Sequence, residues 1–263
     1  MKQRIITAVV AAALFLPIVF YGKFPFVLLT YLLATVGLYE LLRMKKINVF
    51  SVNGLLSFLF LWVILFPGQY HEILDDFYYS KTELGIAFIL LMLTYTVITK
   101  NRFHFEDAAF SIMSAVYVGI GFYFFMETRE AGLVYIFYSL FIIWATDSGA
   151  YFIGKAMGKN KLWPEISPNK TVEGFIGGVV CSLVVAALFA HFSKINAGFI
   201  TLLGVTMVLS VFGQIGDLVQ SAYKRHFNVK DSGKILPGHG GILDRFDSLL
   251  FVWPLLHFFH LWY

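Results

Sequence analysis

Apolar positions in this chain form long, nearly unbroken runs, not the alternating or three-to-four-residue spacing of half-buried elements. A bilayer core of about 30 Å takes about 20 apolar residues as a helix. The pattern therefore predicts nine membrane-spanning helices, at 4–21, 24–42, 53–69, 83–99, 108–126, 131–154, 174–192, 197–222 and 245–262. The third is the weakest, because its strongly apolar part, Gly54 to Pro67, is short. The N-terminal Met1-Lys2-Gln3-Arg4 followed by Ile5 to Tyr21 has the outline of a signal peptide. Its apolar run is longer than an h-region, however, and no small-x-small site follows, so it is expected to be the first span. The fold class predicted is all-α, a polytopic integral membrane protein. With no 20–50-residue repeat and no Gly/Ser- or Pro-rich linker, residues 1–263 are expected to form a single membrane domain. The spans of 1–130 are mostly featureless, whereas polar residues inside spans collect after Trp144, which assigns the chemistry to 131–263.

Composition agrees: 59% of the 263 residues are hydrophobic and 14% charged, against roughly 45–50% and about 25% in a soluble domain. The single Cys181 lies in the apolar run Gly178 to Phe192, which excludes an internal disulfide and a cysteine-based metal site. Charge sets the orientation. With nine spans, 16 of the 20 Lys and Arg residues fall on the side of the N-terminus, and only Lys23, Lys81, Arg129 and Lys194 on the other. The positive-inside rule then places the N-terminus in the cytoplasm and Tyr263 outside, as expected for a multi-pass protein of the cytoplasmic (inner) membrane. The pI near 9.0 follows from topology and phosphate handling and gives no reason to invoke nucleic acid.

Four polar constellations carry candidate chemistry. In the sixth span, Asp147 is followed by Tyr151 and Lys155 at i+4 and i+8, on one face leading toward the cytoplasm. A carboxylate inside a membrane helix costs about 2.5–3.5 kcal/mol on insertion scales, which marks Asp147 as functional unless it makes a purely structural hydrogen bond or ion pair. Next, Ser167-Pro168-Asn169-Lys170-Thr171-Val172-Glu173-Gly174 leads into the seventh span. Ser167-Pro168 suits an N-cap and first helical position, and the free N–H groups there, with Lys170 and Thr171, outline a phosphate site; simple capping is the plainer alternative.

In the eighth span, Ser210, Gly213 or Gln214, Asp217, Ser221 and Lys224 recur at three- and four-residue steps, a polar stripe that must face protein, water or ligand. Gly213 and Gly216 could equally serve close helix packing. Last, the loop from Lys224-Arg225 to Asp247 brackets His239 between Pro237-Gly238 and Gly240-Gly241, a permissive backbone whose N–H groups can approach an anion. Asp244 and Asp247, at i and i+3, share one helical face. Carboxylates without cysteine or clustered histidine favour Mg²⁺ over zinc. His71, His104, His191, His257 and His260 stand apart from these motifs.

The stretch Ser221 to Asp247 reads Ser-x-x-Lys-Arg-(x)4-Lys-Asp-x-Gly-(x)2-Leu-Pro-x-His-Gly-Gly-Ile-x-Asp-Arg-Phe-Asp, which resembles the signature of the phosphatidate cytidylyltransferases, the CDP-diacylglycerol synthases. Tyr223 stands where that family has an aliphatic residue or Phe. Ser-Pro-x-Lys-Thr-x-Glu-Gly and the intramembrane Asp147 also look like that family, so the resemblance is strong over about 142–247. It implies nucleotidyl transfer from CTP to phosphatidate, giving CDP-diacylglycerol and pyrophosphate with Mg²⁺, at the cytoplasmic membrane face. CTP, phosphatidate and membrane lipid are then the partners, and a homodimer is compatible with this reading.

Because a phosphate monoester is largely ionised near neutrality, its second pKa being about 6, charge repulsion and not proton removal is the obstacle. Asp217 and Asp244 are therefore expected as metal ligands, with Asp247 supporting them or holding a second ion. Lys170, Lys224, Arg225, Lys230 and Arg245 are the expected phosphate contacts. Asp147, Ser167, Thr171, Ser221, Asp231, Gly240 and Gly241 are expected around the substrates, and His239 is either a phosphate donor or a structural loop residue. A secondary transporter would instead call for inverted repeats and a midplane site, and a P-loop kinase for Gly-x-x-x-x-Gly-Lys-Ser/Thr; neither pattern is in the sequence.

Overall fold

The computed structural model describes residues 2–68, 79–193, 195 and 197–262. His71, Lys194, Tyr263 and the end of the third expected span lie outside the described residues. Among those described, the chain forms α1 (Lys2–Tyr21), α2 (Lys23–Met44), α3 (Val52–Ile64), α4 (Lys81–Ile98), α5 (Phe105–Ala131), α6 (Leu133–Met157), β1 (Lys161–Trp163), β2 (Ser167–Thr171), α7 (Val172–Phe192), α8 (Phe199–His226) and α9 (Leu243–Phe258).

Six of these helices, α2 and α4 to α8, are long and apolar enough to cross a membrane. Exposed side chains such as Leu28, Leu90, Val184 and Leu188 give them an apolar surface suited to lipid. The protein is a helical, polytopic membrane protein. Three of the nine expected spans are shorter. The apolar part of α1 is Ile6–Tyr21. α3 has 13 residues and α9 has 16, about 20 and 24 Å at 1.5 Å per residue. α3 stops where Pro67 approaches, since the residue before a proline is pushed out of the helical region.

Contacts group the chain into two compact units, one of Met1–Met126 with Ser232–Ile242, the other of Glu127–Asp231 with Leu243–Tyr263. In the first, Ala34, Leu38, Leu41, Leu42, Leu61, Phe122 and Phe125 are fully or almost fully buried. Phe26 meets Phe125 edge to face, with centroids 4.8 Å apart. Polar groups join its helices where apolar packing alone would let them slide. Asn53 donates to the Ser111 hydroxyl at 3.0 Å, the Trp62 indole donates to Thr35 at 3.0 Å, and Lys45 pairs with Asp107 at 2.8 Å.

In the second unit α6 and α7 pack backbone to backbone. A Cβ on Gly174 would lie 2.6 Å from the Ala150 carbonyl oxygen, and one on Gly178 2.7 Å from that of Thr146. Buried hydrogen bonds fix the remaining helices: Tyr138 with Thr206 at 2.7 Å, Thr146 with Ser210 at 2.9 Å, and the Trp253 indole to the Ser139 hydroxyl at 3.1 Å. These bonds, with the close packing of α7 on α6, bring the four helices into the arrangement on which the cavity below depends.

The antiparallel hairpin β1–β2 lies between the sixth and seventh expected spans, 131–154 and 174–192. Lys161 pairs with Thr171 and Trp163 with Ser167. The segment Ser167–Thr171, expected to lead into the seventh span with Ser167-Pro168 suited to a helix start, is therefore a strand. Helix α7 begins one residue later, capped by Thr171, whose hydroxyl accepts from the Gly174 N–H at 3.1 Å. Ser167-Pro168 satisfies the local chemistry of a helix start, but Pro168 sits as well in a two-stranded ribbon, where no central ladder needs its missing N–H. Glu173 completes the join. Its carboxylate accepts from the backbone N–H of Lys159 at 3.1 Å and from the Asn160 side chain at 2.8 Å.

Candidate active site

Four helices and the hairpin of the second unit surround a cavity of about 540 Å³, within the usual size range of a small-molecule site. α6 contributes Asp147, Tyr151 and Lys155, which share a face as their four-residue spacing requires. β2 contributes Asn169, Lys170 and Thr171; α7 contributes Gly174 and Phe175; α8 contributes Gln214 and Asp217. The first turn of α9 contributes Asp244 and Asp247, also on one face, followed by Ser248. Four carboxylates thus border one space.

Carboxylates that share a cavity repel, and each of two has an ammonium group against it. Lys170 pairs with Asp217 at 2.5 Å and Lys224 with Asp244 at 2.7 Å. The second pair is the more buried, with side-chain exposures of 14% for Lys224 and 5% for Asp244. Asp247 accepts the N–H of Ser248 at 2.8 Å.

Asp217 and Asp244, the expected metal ligands, and Asp247 beside them all line this cavity. Among the described residues, no group of three or more His, Cys, Asp or Glu stands in metal-holding arrangement. Asp217 and Asp244 are each paired with a lysine. Their chemistry nevertheless fits Mg²⁺, which takes hard oxygen donors, uses one or two carboxylates and completes its shell with water and phosphate oxygens.

The other expected site residues divide into four groups. Lys224 enters through its bond to Asp244. Arg225 is bound to the hairpin, its Nε donating to the Ile166 carbonyl at 3.3 Å. Ser167 is in β2 but off the cavity wall, as are Ser221, half-buried on α8, and the exposed Lys230, Asp231 and Arg245. His239, Gly240 and Gly241 belong to the loop of the first unit. There Leu236 and Gly240 form a bridge, the His239 N–H donates to the Leu236 carbonyl at 2.9 Å, and Gly238 and Gly240 take φ of 77° and 84°, the left-handed region that glycine enters without strain.

The polar stripe of α8 has two kinds of member. Ser210 bonds Thr146, and Gln214 donates to the Phe175 carbonyl at 3.2 Å, so both hold neighbouring helices, although Gln214 also touches the cavity. Gly216 serves close packing, since a Cβ there would lie 2.6 Å from the Asp247 carbonyl oxygen. Asp217 is the stripe's cavity-facing charge. Sequence reasoning passed over Asn169 as a lining residue, and also Glu40, a buried carboxylate of α2.

The chain matches the model of the cytidylyltransferase family over residues 2–263. It is 56% identical over 261 residues to the phosphatidate cytidylyltransferase of Bacillus subtilis (strain 168), covering 98% of this chain and 97% of that one. It is 54% identical over 260 residues to the enzyme of that name from Staphylococcus aureus (strain COL), and 53% over 257 residues to that from Staphylococcus haemolyticus (strain JCSC1435), with 98% of each chain covered in both cases. A match of this length takes in the helices of both units, the hairpin and the loop 232–242 together, and the chain belongs to the cytidylyltransferase family.

Proposed function

We propose that this protein is a phosphatidate cytidylyltransferase, transferring CMP from CTP to phosphatidate to give CDP-diacylglycerol and pyrophosphate. The observation that carries the reading is the cavity, where four carboxylates and Lys170 face one space in a chain more than half identical to enzymes of that name. A phosphate oxygen of phosphatidate attacks the α-phosphorus of CTP. The new P–O bond forms as the bond to the β-phosphate oxygen breaks, and pyrophosphate leaves with that electron pair. The nucleophile is already anionic, so the residues need not remove a proton; their task is to let three anions meet.

Asp217 and Asp244 are the residues that would hold Mg²⁺, with Asp247 beside them, and the ion supplies charge neutralisation across the phosphate oxygens. Lys170 and Lys224, which pair with those two aspartates here, are placed to turn to phosphate oxygens when substrate enters. Tyr151 and Phe175 give the cavity apolar wall suited to a pyrimidine base. A homodimer is compatible with this reading.

The site is read as lying at the cytoplasmic face of the cytoplasmic membrane, with nine spans, where acyl chains stay in lipid and CTP comes from water. The charge distribution supports this. A reporter inserted near Asn160 is expected on the cytoplasmic side and one fused after Tyr263 on the outer side; both on one side would overturn the nine-span topology. The activity is tested by giving the purified protein phosphatidate and radiolabelled CTP. Equal amounts of CDP-diacylglycerol and pyrophosphate are expected, and release of pyrophosphate without a nucleotide-linked lipid would refute the assignment.

A further inference from the structure

Glu40 lies in α2 of the first unit and is 1% exposed. Its carboxylate accepts from the Ser232 hydroxyl at 2.8 Å through Oε2, and from the backbone N–H of Ile242 at 2.8 Å through Oε1. Ser232 and Ile242 are the two ends of the loop segment that belongs to this unit, so one carboxylate ties both ends together. The flanking residues are shaped around it. A Cβ on Gly233 or on Gly241 would run into the Glu40 carboxylate, and at Gly241 into the Ser232 hydroxyl as well. Between the ends, the Thr7 hydroxyl reaches the Pro237 carbonyl at 3.1 Å, and the turn at Leu236–Gly240 carries His239.

A buried carboxylate is tolerated where hydrogen bonds replace its water, and burying one in a membrane helix is costly enough to call for a purpose. The cavity is not that purpose, since Glu40 is not among its lining residues. We infer that Glu40 is a positioning residue, which clamps the ends of loop 232–242 and so holds His239 and the Gly240-Gly241 backbone in the conformation that catalysis uses. The catalytic part of this inference rests on the transferase reading above. The clamp itself does not.

The clamp depends on acceptor oxygens at a fixed place more than on charge. Glu40→Gln keeps one acceptor for the Ile242 N–H and can donate its amide to the Ser232 oxygen, whereas Glu40→Met keeps the volume and loses both bonds. The exposed Lys234 reports the loop, and the exposed Lys159 of the second unit serves as control. In detergent, tryptic cleavage after Lys234 should be at least about tenfold faster in Glu40→Met than in wild type, with cleavage after Lys159 unchanged. Turnover should fall at least about tenfold in the same variant, while Glu40→Gln stays within about threefold of wild type on both measures. Gly241→Ala, which keeps Glu40 but crowds it, should behave like Glu40→Met and guards against a variant that fails to fold. Unchanged cleavage after Lys234 in both Glu40→Met and Gly241→Ala would overturn the clamp, and so would equal acceleration after Lys159. Loosened loops with full turnover would overturn the catalytic part. Cleavage needs no substrate, so a wild-type protein without transferase activity would refute the transferase reading while Lys234 still decides the clamp.

Discussion

Asp217→Asn is expected to lower turnover by about 10²–10³-fold while the protein stays inserted and monodisperse, and Asp244→Asn to do the same. Each change removes one negative charge at nearly constant shape. The two should differ in stability. Lys170 and Asp217 are both partly exposed, so losing that pair costs little beyond the site's own function. Lys224 and Asp244 are more buried, and Asp244→Asn leaves an ammonium group in poor solvent, which strongly destabilises a folded chain. Thermal melting in detergent should therefore drop more for Asp244→Asn than for Asp217→Asn. Were Asp217 only the partner of Lys170, its neutralisation would change expression or melting and leave turnover per folded molecule nearly intact.

Removal of divalent cations should abolish turnover, and Mg²⁺ should restore it. The reason lies in the donors: the cavity presents carboxylates and amide and hydroxyl oxygens, with neither cysteine nor histidine in its wall. Three anionic groups must also converge there, namely the phosphatidate phosphate, the α-phosphate and the departing pyrophosphate, and one or two lysines do not balance that charge. A chelated sample is expected to lose at least about 10²-fold in rate and to recover with Mg²⁺ in the millimolar range. Recovery with Zn²⁺ alone would contradict coordination by these carboxylates.

The long helices were legible in the sequence because a run of about 20 apolar residues has few other uses. So were the facial pairings Asp147–Tyr151–Lys155 and Asp244–Asp247, which follow from helical spacing alone and do meet in one cavity. The hairpin was not. Ser167-Pro168 carries the local marks of a helix start, and only the pairing of Lys161 with Thr171 and the grip of Glu173 on Asn160 make that segment a strand. The lysine partners of Asp217 and Asp244 were equally hidden, since Lys170 and Lys224 were legible as cations but their choice of carboxylate depends on how the hairpin, α8 and α9 come together. Glu40 could have been found. The rule that singled out Asp147, a lone carboxylate in an apolar span, applies equally to Glu40 in the run 24–42. What no local pattern conveys is its partners, 192 and 202 residues further along the chain.

The central claim is that Asp217 of α8 and Asp244 of α9 act as one unit in one cavity, and the double variant Asp217→Asn/Asp244→Asn tests it most directly. Groups that serve a single step are strongly non-additive, because once one is lost the other has little left to contribute. Turnover per monodisperse molecule in the double variant is predicted to lie within about threefold of the slower single variant. Losses that multiply, so that two drops of about 10²-fold become about 10⁴-fold, would mean that the two aspartates act independently and would contradict the shared site.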